Sequence, residues 1–184
     1  MNSARNRIGL VIALLLVAAG GLAFSRLGHD KPAPQELSFG PLGSPGPGHD
    51  TLCTPSPKGV AYIGLTPLEN TGTRPLTLDS VQLVQAHDLR LSAAFLVPFI
   101  GNQSFGQFNA PAPSSDPAWA QRVPLNGAVV SARSERNLVL VVATKKGRGS
   151  ALDTEIMYRD ALGHRYHFFT QLTLVVDRAS RCSS

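Results

Sequence analysis

Two cysteines, two methionines, one tryptophan and no run of like charge longer than Lys145–Lys146 leave this 184-residue chain short of the residues that carry most chemistry. Each shortage excludes something. Cys53 and Cys182 are too far apart in sequence for a C-x-x-C redox or zinc motif. With Met157 the only methionine besides the initiator, a soft thioether set for copper(I) is out. H-E-x-x-H is missing, KKGRGS lacks phosphate-loop spacing, and GNQSFG (101–106) sets its serine at the wrong offset for a nucleophile elbow. Asp153 and Glu155 alternate with core-type residues and read as an exposed strand face rather than a catalytic pair. The composition points away from an enzyme and implies no cofactor and no metal.

One long apolar run is present. Arg5 and Arg7 precede 17 uncharged, largely apolar residues, Ile8 to Phe24. As a helix these span about 25 Å, slightly less than the ~30 Å hydrocarbon core. The run reads as a transmembrane signal anchor in contact with the bilayer, or as a signal peptide cut before Phe24, although it exceeds the usual h-region. No cysteine ends it, so a lipobox is excluded. Either way the remainder lies outside the cytoplasm; as an anchor, the flanking arginines keep residues 1–7 inside.

The basic excess belongs mostly to this flank. Without Arg5, Arg7, Arg26, Lys31 and Asp30, the chain holds 13 basic against 11 acidic residues. No Lys/Arg stripe interleaves with aromatics, so nothing supports nucleic-acid binding. Lys145, Lys146 and Arg148 form the local basic cluster. Its glycine spacing suggests a solvated hairpin tip, with contact to anionic lipid or a surface polymer as the other reading.

Outside the cytoplasm a lone, widely spaced pair such as Cys53 and Cys182 reads as a structural disulfide. Residues 25–58 are rich in Pro, Gly and Ser and read as a stalk, with a short strand at 36–39 and the Cys53 end stapled down. Residues 59–184 then carry a period-two pattern. Ala61, Ile63 and Leu65 share a face, and Asn70–Pro75 is a turn. Leu76 and Leu78 slip phase to Val81 and Leu83, which predicts a bulge near Asp79–Ser80. Leu89, Leu91, Ala93, Phe95 and Val97 share one face of another strand. Leu138–Ala143 is a continuous apolar run, as for a strand buried on both sides. Leu152, Thr154, Ile156 and Tyr158 alternate, and Tyr166 to Val176 forms the longest pattern. Strands at this density, without an amphipathic helix, predict an all-β fold: an antiparallel immunoglobulin-like β-sandwich, in the loose sense, after one N-terminal helix.

Residues Pro98 to Arg136 break the rhythm. Phe99, Phe105, Phe108 and Trp119 stand there among Gly, Pro, Asn and Ser, either as plugs fastening a crossover to the sandwich or as a partner-binding loop. His164 and His167, three apart, fall on opposite faces of a strand and cannot share one ion unless the strand start is irregular.

AYIGLTPLENTGTRPLTLDSVQLV superficially resembles the start of exported copper-carrier β-sandwiches, but without their ligands. More broadly, the basic terminus, apolar segment, Pro-rich stalk and NTGTRPLTLDSVQL stretch resemble membrane-anchored actinobacterial proteins. That resemblance implies an exported sandwich and carries over no catalytic residue. The resulting expectation is a non-enzymatic binding or scaffold module of the cell envelope, facing an envelope protein or polymer. An extracytoplasmic ligand or metal carrier, a signal-cleaved secreted domain and a hydrolase or transferase with an unfamiliar site are the alternatives.

Overall fold

β-Branched and apolar residues at alternate positions form strands in nearly every stretch where that pattern occurs. The computed structural model describes residues 38–43, 50–101, 105–109 and 116–182; the apolar run 8–24 lies outside them. Among the described residues no helix is long and apolar enough to cross a membrane. The strands belong to one compact unit, Leu37–Ser184.

The first sheet runs in the order β1 (Ser38–Phe39), β13 (Arg165–Phe169), β12 (Asp153–Asp160), β5 (Leu76–Val84), β9 (Val129–Val130). The second runs β2 (Leu42–Gly43), β4 (Val60–Asn70), β10 (Ser134–Thr144), β6 (Leu89–Val97), β8 (Val123–Pro124), with β7 (Gly106–Phe108) also on β4. A third holds β11 (Arg148–Ala151), β14 (Leu172–Asp177) and β3 (Asp50–Pro55). Pairing is antiparallel except for β1 on β13 and β3 on β14. One helical turn, α1 (Pro117–Ala120), interrupts the strands.

All three sheets turn apolar side chains into one core. Leu76, Leu78, Ile156 and Tyr158 come from the first; Ala61, Ile63, Leu68, Leu138, Leu140 and Val142 from the second; Ala151, Leu174 and Val176 from the third. The chain is a largely antiparallel β-sandwich, immunoglobulin-like in the loose sense. β10 lies between β4 and β6, and Leu138–Ala143 is buried throughout. The bulge falls at Asp79: Met157 pairs with Ser80, Tyr158 with Leu78.

Other phases differ from the sequence reading, each at a local irregularity. In β4 the register against β10 shifts between Ile63 and Thr66, so the core face passes from Ala61 and Ile63 to Leu68. In β6 an extra residue at Ser92 splits the expected single face. Leu89, Leu91, Ala94 and Leu96 meet the main core, while Phe95 and Val97 join a second cluster on the other side. The long pattern 166–176 is two strands in two sheets, broken at Gln171, whose φ is +55°.

That break is held by Asp153, which is buried, not on an exposed face. Its carboxylate accepts from Thr154 N (2.6 Å), Thr170 Oγ1 (2.9 Å) and Gln171 N (3.0 Å). Leu152, expected inward, is 44% exposed at the matching break between β11 and β12.

Residues 38–55 lie within the expected stalk, 25–58, yet contribute β1, β2 and β3. Backbone bonding to the sandwich supplies what their composition lacks. The buried Tyr158 hydroxyl accepts from Leu42 N at 3.2 Å, and a Cβ on Gly40 would come within 2.6 Å of that oxygen. β3 is joined further by the Cys53–Cys182 disulfide.

Candidate functional site

The irregular stretch between β6 and β10 is where the sandwich departs from its repeating pattern. It begins beside β6, passes along β4 as β7, turns through α1, returns to β6 as β8 and crosses to the first sheet as β9. Asp116 caps α1, accepting from Ala118 N (2.8 Å) and Trp119 N (2.9 Å), with Pro117 at the first helical position. An Asp-Pro pair is a readable helix start, and it was the signal for this turn.

The cap sets Trp119 into the second cluster, with Val97, Phe105 and Val139. Its ring stacks on Phe105 (5.2 Å) and meets Phe95 (5.3 Å) and Tyr62 (5.9 Å) edge-on. The Arg122 guanidinium lies 4.4 Å from the Trp119 ring centroid and donates to the Trp119 carbonyl at 2.9 Å. Phe105 seats directly over Gly64, where a Cβ would approach its ring to 2.7 Å. Of the four aromatics singled out as a contact loop, Phe105 and Trp119 are buried, Phe108 packs against their cluster, and Phe99 is half-buried. The plug reading describes Phe105 and Trp119.

Exposed apolar surface lies elsewhere on the same crossover. Ile100, Val123 and Val129 are 44%, 47% and 53% exposed. They line two clefts that share Pro98. One, about 290 Å³, is walled by Ile100, Phe105, Phe108 and Pro117, with Asn137 in its lining. Asn137 is 1% exposed, and among the described residues its Oδ1 has no hydrogen-bond partner. The other, about 480 Å³, lies beside β8 and β9 and is lined by Leu96, Val123, Pro124, Val129, Gln121 and Arg136, among others. Arg136 shares the phase of Leu138 on β10. A cation in the inward phase, two residues before the apolar run Leu138–Ala143, was the legible signal for this cleft.

The basic cluster is not part of it. Lys145 and Lys146 follow β10 at the end opposite Arg136, about 30 Å away along the strand. The segment links the second sheet to the third and is not a hairpin tip. Lys146 pairs with Asp88 at 2.8 Å, an exposed pair worth little. Arg148 lies exposed in β11.

The histidines are held apart by different carboxylates, and not by opposite faces of one strand: His167 is in β13, whereas His164 lies in the turn before it. His167 Nδ1 sits 3.1 Å from Glu155 Oε1, and Gln82 donates to the other Glu155 oxygen. His164 Nδ1 sits 3.0 Å from Asp160, which also accepts from Leu162 N, His164 N and the Tyr166 hydroxyl. Among the described residues no three His, Cys, Asp or Glu side chains form a metal-binding group.

Partial burial works to raise the Asp160 pKa, but the His164 and Leu162 hydrogen bonds outweigh it and bring it from 3.8 to about 2. A carboxylate with a depressed folded pKa stabilises the fold above its unfolded pKa and loses that contribution as pH falls through the folded one. Stability should therefore decline on acidification from pH 3.8 toward about 2. Thermal melts of wild type and Asp160→Asn across that range check this. The variant should show a shallower acid decline; parallel curves would remove Asp160 from the account.

No family model and no curated protein matches the chain. Among solved structures it is similar to the ASH/PapD-like domain of human CEP192 (PapD-like domain 7), at 11% identity over 72% of this chain and 82% of that one, TM-score 0.37. It is also similar to the secreted serine protease VesC from Vibrio cholerae, at 11% identity over 78% of this chain but 23% of that one, TM-score 0.32. Likeness this distant assigns no activity.

Proposed function

We propose that the chain is a non-enzymatic binding module of the cell envelope, held outside the cytoplasm by the segment 8–24, which presents its crossover to a partner. The observation that carries this reading is the grouping of Ile100, Val123 and Val129 around two adjoining clefts on one connection. Apolar side chains gathered at a concave surface mark contact sites more often than scattered ones do. Arg5 and Arg7 before the apolar run support the orientation, and the Cys53–Cys182 disulfide suits an oxidising compartment.

A photo-crosslinking amino acid at Val129 in the full-length protein, activated in intact cells, tests the reading. The same probe at Leu162, 64% exposed in the turn between β12 and β13, is the control. We expect one envelope protein captured from Val129 and not from Leu162, with intact mass retaining Met1–Phe24. Identical adducts from both positions, or none from Val129, would overturn the binding surface. Loss of the first 23 residues would make the protein a secreted domain. An extracytoplasmic ligand carrier is the second reading, because the 480 Å³ cleft falls in the size range of small-molecule sites.

A further inference from the structure

Among the described residues, Arg136 is the only charged one lining the 480 Å³ cleft. It is half-buried near the start of β10, and among the described residues no side chain or backbone oxygen accepts from it. A guanidinium offers five N–H donors in a planar fork that matches a carboxylate. Partly withdrawn from water and left without an acceptor, it is an incomplete pair. The rest of the lining says what accompanies the missing anion. Leu96, Val123, Pro124 and Val129 provide apolar walls, while Gln121 and Asn126 place amides among them.

Two short strand edges flank the cleft. β8 is outermost in the second sheet and β9 outermost in the first, each two residues long; Pro124 has no N–H, so there β8 offers a partner strand only a carbonyl, and β9 is the edge that keeps both donors and acceptors. Backbone left unpaired at a sheet edge accepts an extended peptide, whose alternate side chains then enter neighbouring pockets. A polyanion is a poor match, because it needs several cations and this cleft has one.

Resting on the binding-module reading, we infer that this cleft takes an extended segment of a partner protein, seating an acidic side chain on Arg136 and a neighbouring apolar side chain between Val123 and Val129. Charge complementarity at Arg136 decides the anion; the two edges and the amides decide for a peptide over a simple amphiphile.

The test uses the full-length chain in a neutral detergent, with two probes followed by methyl NMR at Leu96, Val123 and Val129. These are the acetylated, amidated peptides Leu-Glu-Leu and Leu-Gln-Leu. The Glu peptide should bind about tenfold more tightly, the discrimination expected of a charge-assisted bond. Arg136→Gln should abolish that difference. Val129→Glu, which trades an apolar wall for a like charge, should weaken both peptides and the Glu peptide about fivefold more than the Gln peptide, which keeps the test valid if the first variant folds poorly. Equal affinities, no saturable shift, or saturable binding of octanoate where neither peptide binds would each overturn the inference. If any of these occurs while Val129 still captures an envelope protein in cells, only the acidic-peptide assignment fails. If that capture is also lost, the binding-module reading fails with it.

Discussion

Replacing Cys53 and Cys182 together with serine should lower the unfolding free energy of the full chain by about 5 kcal/mol. The two are separated by 129 residues, and the disulfide closes nearly the whole sandwich into one loop. On the chain-entropy account the stabilisation grows with the logarithm of loop length, so this bond sits near the upper end. The native side adds to the effect. β3 is outermost in its sheet and pairs only with β14, in parallel, so losing the bond frees Cys53 and with it the strand's main covalent restraint. Guanidinium unfolding of wild type, of the double variant and of wild type under reductant measures the loss. The last two should agree. A loss below about 1 kcal/mol would mean that the β3–β14 ladder holds the strand unaided and that the unfolded chain gains little freedom.

The sequence made this bond legible because two cysteines allow one pairing. It made the central strand legible because an unbroken apolar run has no polar face to present. The bulge at Asp79 was legible for a different reason: two in-phase pairs, Leu76/Leu78 and Val81/Leu83, stand an odd number of residues apart. Ser92 produces the same slip in β6 without that signature. The apolar residues on both sides of Ser92 continue the old alternation, and the structure buries both faces of the strand: one in the main core, one under Trp119. Where both faces are buried, periodicity carries no information about register.

The break at Gln171 was hidden in the same manner. Tyr166 to Val176 alternates without interruption, and the hydrogen bonds that hold the turn between sheets come from Asp153, Thr154 and Asp50, all distant in sequence. β1 to β3 were obscured by composition. Pro, Gly and Ser read as stalk because most of the partners that order them, β13, Tyr158 and β14, are over a hundred residues away, and only β4, which pairs with β2, is nearer. For the candidate site, the region was located and its residues were not. Aromatics drew attention to the loop, but the exposed members are aliphatic, and Arg136 lies in the polar start of β10, Ser134–Asn137, which drew no attention beside the apolar run that follows it.

Trp119→Ala should destabilise the chain by about 3–5 kcal/mol, the range for truncating a large aromatic in a packed cluster. Trp119 is 7% exposed and its ring touches Phe105, Phe95 and Tyr62, and its removal also takes away the face on which the Arg122 guanidinium lies. Trp119→Phe should recover part of the loss, because a smaller ring still fills part of the space beside Phe105. Val129→Ser, at an exposed edge, should stay within about 0.5 kcal/mol of wild type. Denaturant unfolding gives the three values, and hydrogen exchange at 116–124 shows whether the crossover loosens first. The comparison separates the two roles that aromatic composition alone could not. If Trp119→Ala is as stable as wild type but loses its partner, the tryptophan is a contact residue and the plug reading is wrong. If it loosens the crossover while Val129→Ser keeps the fold and loses the partner, packing and recognition have been divided between inward aromatics and outward aliphatics. That division has a physical basis: a rigid plug under the crossover holds Val123 and Val129 at fixed positions beside Arg136, and so spares a partner the entropy of ordering the surface it meets.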